Sequence, residues 1–256
     1  MEQKLNTLQG QVAWVTGSAQ GIGAALAEAL ADAGASVVVS DVRAPDATVE
    51  AIRARGGKAI GVVADVTDNA SLRSLVSQAE EELGPIQVLV NNAGVFATLE
   101  LKPFMQITEE EWDFVFRVNT RGVFQVTKAA VPSMRKAGAG SIINICSGTI
   151  LRGAPMFLHY VGSKGALFAM TRSMATELAI DSIRVNSIVV GFTASQSVLE
   201  HPTMMSKIRG LTLDARMIKR DMTPGDIAGT TVFLASDASA FITGQAINVD
   251  GGAVTY

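Results

Sequence analysis

Val12-Ala13-Trp14-Val15-Thr16-Gly17-Ser18-Ala19-Gln20-Gly21-Ile22-Gly23 decides the fold of this 256-residue chain. Its first five residues form an apolar, largely β-branched run that reads as a buried strand. From Ile22 to Ala33 the pattern becomes that of a helix. Between the two, glycines are spaced G-x-x-x-G-x-G. Such spacing alone fits a plain turn. A strand before it and a helix after it suit it to a phosphate. Backbone amides converge at the helix start, the helix dipole favours an anion, and missing Cβ atoms allow close approach.

Working outward, strands are expected at Ser36–Asp41, Ala59–Ala64 and Ile86–Asn91, with helices at Val49–Arg55 and Ser71–Leu83. Three βα units in succession predict a parallel sheet wound right-handedly, with helices on both faces. The alternation continues with a long helix at Trp112–Met134, a strand at Gly140–Cys146 and a helix at His159–Ala179. A strand at Arg184–Val190, a helix at Pro224–Ala235 and a strand at Gln245–Val249 complete it. Thr223-Pro224-Gly225-Asp226 is a helix start, with Thr as N-cap and Pro at the first position. The one long non-strand interval, about 191–222, is too apolar for a free linker. The expectation is a single α/β domain over residues 1–256, a doubly wound parallel sheet.

Composition agrees. Hydrophobic residues make up 48% and aromatic residues 5%, so the core is aliphatic, as suits helices packed on a buried sheet. A net charge of −3 without basic runs argues against nucleic acid or an anionic membrane as partner. Cys146 is the only cysteine, which excludes an intrachain disulfide. The two histidines, His159 and His201, offer no metal-ligand spacing. Met1–Gly10 lacks the apolar core of a signal peptide and no run is long enough to span a bilayer. A soluble cytoplasmic protein is expected.

Asp41 closes the second strand, 18 residues after Gly23. An acid there accepts hydrogen bonds from adenosine ribose hydroxyls and repels a 2′-phosphate. It also reads as an ordinary surface carboxylate, and nearby Arg43 is able to accommodate a 2′-phosphate. NAD is favoured over NADP. Asp65-Val66 ends the third strand and Asn91-Asn92-Ala93-Gly94 the fourth, where ligands sit on such sheets.

Tyr160 and Lys164, four residues apart on a predicted helix, share one face. An ammonium near a phenol favours the phenolate, and a tuned phenol exchanges a proton with a carbonyl or alcohol oxygen. Ser147 is placed to give that oxygen a second hydrogen bond. By itself the pair also fits chance spacing.

With these motifs in register, the chain resembles the short-chain dehydrogenase/reductase family over about residues 10–252. The match comprises TGxxxGIG at Thr16–Gly23, Asp65, NNAG at Asn91–Gly94, Asn119, Ser147 and YxxxK at Tyr160–Lys164. The resemblance implies a Rossmann-type domain with seven parallel strands, usually in a homotetramer. It implies that Tyr160 is the general acid/base, that Ser147 orients the substrate oxygen and that Lys164 holds the nicotinamide ribose while lowering the Tyr160 pKa. Asn119 supports a water-mediated proton relay behind Lys164. Cofactor contacts carry over to Gly17, Gln20, Gly21, Ile22, Gly23, Asp41, Asp65, Val66, Asn92, Ala93, Gly94, Tyr160 and Lys164. Gln20 stands where NADP-using relatives often carry a basic residue. The family's Pro-Gly after the sixth strand is Val190-Gly191 here, and its later phosphate-side threonine corresponds to Ser195, with Thr193 also available.

Substrate choice falls to segments beside Ser147 and after Gly191. Thr149, Ile150, Leu151 and Met156 flank the first. Val198, Leu199, Met204, Met205, Ile208, Leu211, Leu213 and Met217 populate the second. This apolar, methionine-rich balance suits either a mobile lid over a hydrophobic substrate or packing on the sheet or a neighbouring subunit. The expected activity is NAD-linked oxidation of a small hydrophobic secondary alcohol, reversible from the ketone. The alternatives are an NADPH-dependent 3-oxoacyl-carrier-protein reductase and a non-catalytic dinucleotide sensor.

Overall fold

The computed structural model describes residues 7–255, with the side chains of residues 202–207 outside the description. One parallel sheet of seven strands runs in the order β3-β2-β1-β4-β5-β6-β7. The strands are β1 (Val12–Thr16), β2 (Ser36–Asp41), β3 (Lys58–Val63), β4 (Ile86–Asn91), β5 (Gly140–Ser147), β6 (Ile183–Val190) and β7 (Ala246–Val249). The order reverses between β1 and β4. Strand β1 pairs with both neighbours, Val15 with Val39 of β2 on one side and with Val90 of β4 on the other, where the register shifts once between Val12 and Ala13.

Period-two alternation builds two cores. Ala13 and Val15 face Leu26, Leu30, Ile227 and Leu234, while Val12 and Trp14 face Leu72, Leu75 and Met134. Helices α1 (Gly21–Asp32) and α10 (Gly225–Ala235) cover the first face, and α3 (Asn69–Glu82) and α5 (Gly122–Ala137) the second. Every β1 residue is buried, which is why the stretch reads as a continuous apolar run. The indole of Trp14 donates to Ser40 Oγ at 2.8 Å, so its one polar atom is satisfied. Helix α2 (Asp46–Ala54) completes the first half.

Several expected boundaries shift. The helical run predicted for Trp112–Met134 is interrupted: α4 (Glu109–Phe116) passes through a π-helical turn, Arg117–Arg121, before α5. Helix α4 starts on a capping box in which Thr108 and Glu111 bond reciprocally, three residues before the first expected residue. Asp65 and Val66 lie beyond β3, which ends at Val63. Thr223 does not cap α10 as an acceptor. Its N–H and hydroxyl both donate to the Asp226 carboxylate. The interval after β6 is helical, with α8 (Gln196–Leu199) and α9 (Pro202–Ala215), and is closed at its base by a bridge between Thr193 and Met222. Between β5 and β6 lie a short α6 (Thr149–Arg152) and the long α7 (Leu158–Leu178). Among the described residues no helix is long and apolar enough to cross a membrane.

Candidate active site

A cleft of about 1390 Å³ opens along the carboxyl ends of the strands, across the reversal between β1 and β4. The glycine turn forms one end. Gln20, the N-cap of α1, directs no side-chain bond to the helix start, so the first-turn amides stay uncapped by it. Its amide nitrogen instead donates to Ser197 Oγ at 2.7 Å, tying the turn to α8. The absence of a Cβ at Gly17 has a steric reason, because one added there would sit 2.7 Å from the Ala93 Cα. Asn92 holds the turn from the other side, donating to the carbonyls of Thr16 and Gly17 at 2.9 Å each. Thr16 Oγ1 accepts from the amides of Asn92 and Ala93, so the ends of β1 and β4 form one unit.

Asp41 is buried at the end of β2. Its carboxylate accepts from the Ala19 amide at 3.1 Å and the Arg43 amide at 3.1 Å, which aims it along the turn. Arg43 Nε lies 3.6 Å from the same carboxylate. Asp65 folds onto its own loop, accepting from the amide and hydroxyl of Thr67. Gly17, Gln20, Gly21, Ile22, Gly23, Asp41, Asp65, Val66, Asn92, Ala93 and Gly94 all line the cleft. So do Val190, the last residue of β6, and Gly191, Thr193 and Ser195, which follow it.

At the other end β5 delivers Ser147 and α7 delivers Tyr160 and Lys164, all three buried. Thr149 Oγ1 donates to Ser147 Oγ at 3.0 Å, which leaves the Ser147 proton to point elsewhere. Ser147 is near enough to Tyr160 for its hydroxyl to act on the phenol. Phe96 and Phe157 wall the phenol, with ring centroids 4.9 and 6.2 Å from it. The expected lowering of the Tyr160 pKa is corrected here. Burial pushes the phenol up to about 12, against the Ser147 hydroxyl, which works downward. Lys164 donates to the Ile145 carbonyl at 2.8 Å, and burial lowers its own pKa. Its ammonium is anchored to the backbone rather than spent on the phenol.

Asn119 sits in the π-helical turn, fully buried and off the cleft wall. Its Oδ1 accepts from the Val95 amide at 2.8 Å, and its Nδ2 donates to Ser163 Oγ, which in turn donates to the Tyr160 carbonyl. Gly94 packs between Asn119 and Lys164. His159 is buried and does not reach the cleft, as its separate helix face implies. The Cys146 thiol bonds the Lys164 carbonyl and burial pushes it up, which makes it a packed group.

The substrate assignments divide. Thr149 and Met156 line the cleft, as do Val198, Ile208 and Leu211. Leu151 does not, because in the single turn of α6 the cleft face belongs to Thr149 and Arg152, three residues apart. Leu199 is exposed at the end of α8, one position past Val198. The side chains of Met204 and Met205 fall outside the described residues. Sequence reasoning missed Phe96, Phe157, Phe192 and two arginines, Arg152 and Arg216, all on the cleft wall. Phe157, three residues before Tyr160 in sequence, was within reach of a spacing argument.

A parallel sheet with this strand order, a glycine turn and a buried Ser/Tyr/Lys set defines a dinucleotide-dependent oxidoreductase class. Residues 17–254 match the family model described as enoyl-(acyl carrier protein) reductase. An uncharacterised oxidoreductase of Methylorubrum extorquens is 42% identical, over 97% of this chain and 99% of its own length. The 3-oxoacyl-[acyl-carrier-protein] reductase of Thermotoga maritima is 37% identical over 96% and 99%. An Agrobacterium tumefaciens structure with bound NADP, described as a 2-deoxy-D-gluconate 3-dehydrogenase, superposes with a TM-score of 0.88 at 31% identity, covering 98% of both chains. The chain belongs to the short-chain dehydrogenase/reductase family.

Proposed function

We propose that this chain transfers hydride reversibly between NAD(H) and a small secondary alcohol or ketone with an apolar body. Residues 1–256 would act as one dinucleotide-binding and catalytic domain, in a cytoplasmic homotetramer as the family resemblance implies. One observation carries the reading: buried Ser147, Tyr160 and Lys164 line one end of a cleft whose other end is a glycine turn with Asp41 beside it.

The residues present fit the dinucleotide. Gly17, Gly21 and Gly23 line the cleft at the start of α1 without side chains, so the phosphates would meet bare amides there. Asp41 would accept from the adenosine ribose, and Lys164 would hold the nicotinamide ribose. The bound nicotinamide would supply or accept the hydride. Tyr160 gives its proton to the ketone oxygen in reduction and takes the hydroxyl proton in oxidation. Ser147 donates to the same oxygen, with its orientation set by Thr149. Asn119 fixes the Val95 backbone and, through Ser163, the turn of α7 that carries Tyr160.

Asp41 favours NAD, and Gln20 adds no charge for a 2′-phosphate. A second reading, an NADPH-dependent 3-oxoacyl-carrier-protein reductase, draws support from Arg43 on the cleft wall and from the relative of that name. A sensor without activity has no use for the Ser147/Tyr160 pair. Initial rates with NAD⁺ and NADP⁺ over a panel of secondary alcohols decide among these. The expected result is turnover with an NAD⁺ preference, lost in Tyr160→Phe while NADH still binds. Near-normal rates in that variant, or a preference for NADP⁺, would overturn the corresponding part of the reading.

A further inference from the structure

The substrate end of the cleft holds charge that hydride transfer does not use. Arg216 is 3% exposed and lines the cleft. Its guanidinium donates to two neutral acceptors, the Phe192 and Arg220 carbonyls, and its Nε–H has no partner among the described residues. The acids around it are occupied. Asp221 pairs with Arg209 at 2.7 Å and Asp226 with Arg220. Asp250 accepts from the amides of Gly252, Ala253 and Val254. Glu200, also on the wall, accepts from Gln196 and is exposed. Asp221 and Asp250 act on Arg216 from a distance, but neither reaches ion-pair distance of it among the described residues, so its Nε–H is left to take a further acceptor.

Arg152 stands beside it. It follows Ser147 by five residues, shares the cleft face of α6 with Thr149, and its guanidinium makes no hydrogen bond or ion pair among the described residues. It lies close enough to Arg216 for the two like charges to act on each other. The same cleft has an aromatic wall beside Tyr160, formed by Phe96, Phe157 and Phe192.

We infer that the alcohol taken by this cleft carries an anionic group, a carboxylate or sulfonate, across an aromatic body from its hydroxyl carbon, and that Arg152 receives it, with Arg216 nearby. The inference rests on the hydride-transfer reading for the position of the hydroxyl, but its anion subsite is measurable without turnover.

Two ligand pairs test it, each with the holoprotein at saturating NAD⁺. The reactive pair is 4-(1-hydroxyethyl)benzoate and its carboxamide, compared by kcat/KM. The unreactive pair is 4-isopropylbenzoate and its carboxamide, compared by calorimetric Kd. A charge-assisted bond predicts at least about a tenfold preference for the carboxylate in both pairs, falling as salt is raised. In Arg152→Gln that ratio is expected to collapse towards one, and Arg152→Lys to restore part of it. No carboxylate preference in the wild-type protein, including no binding of either ligand, overturns the inference. So does a preference that Arg152→Gln leaves intact. Calorimetric preference without oxidation of either alcohol sustains the anion subsite and sinks the hydride reading. Oxidation without preference does the reverse.

Discussion

At Tyr160 two effects compete, and magnitude decides between them. Desolvation penalises the phenolate and pushes the group to about 12, while the Ser147 hydroxyl pulls it down. The net direction is upward, so the desolvation penalty outweighs what one neutral hydrogen bond returns. The consequence has a sign. Reduction needs the phenol, which is the prevailing form everywhere below that pKa. Oxidation needs the phenolate, so its rate should climb as pH rises through the alkaline range while the reduction rate stays flat. Ser147→Ala removes the one downward influence among the named causes, so its oxidation limb should move to higher pH and kcat should fall by about 10²-fold or more. The pH profiles of kcat in both directions check this. An oxidation limb that moves to lower pH in Ser147→Ala would contradict the balance described.

At the scale of elements, the site is a meeting of strand ends, and its legibility in the sequence follows from that. The glycine turn, Asp41, the Asn92–Gly94 segment and the Tyr160/Lys164 pair are readable because each motif is local to one strand end or one helix turn. The π-helical turn under Asn119 is not, since it differs from an α-turn only in hydrogen-bond register and leaves no periodicity of its own. The sequence points to Leu151 and is silent on Arg152, because a four-residue helix is too short to show a face. Phe96, Phe157 and Phe192 come from three separate loops, and only the sheet brings them together. The link between Gln20 and Ser197 is of the same kind, spanning 177 residues. It couples α8 to the phosphate end of the cleft. Ser197→Ala should therefore raise KM for the dinucleotide by about two- to tenfold, the worth of one hydrogen bond. Gln20→Ala should match it, and the double variant should be no worse than either single one. Additive losses in that cycle would show that the two side chains act separately.

The cleft crosses β2, β1, β4, β5 and β6 at their carboxyl ends, so a dinucleotide lying along it would touch most of the sheet at once. Binding only to the folded chain stabilises it by RT ln(1 + [L]/Kd), about 2.7 kcal/mol at a hundredfold excess over Kd. For a chain of this size each kcal/mol raises Tm by roughly 2–4 °C. NAD⁺ at such an excess should lift Tm by about 5–10 °C. NADP⁺ at the same concentration should lift it less, because its 2′-phosphate meets the Asp41 carboxylate, which the Ala19 and Arg43 amides hold at the ribose end. Asp41→Ser removes that repulsion and leaves Arg43, exposed and free of its 3.6 Å neighbour, to pair with the phosphate. The order of the two shifts should then reverse. Thermal melts of both proteins with each dinucleotide measure it without any substrate. An NADP⁺ shift already larger in the wild-type protein would mean that Arg43, not Asp41, sets the choice.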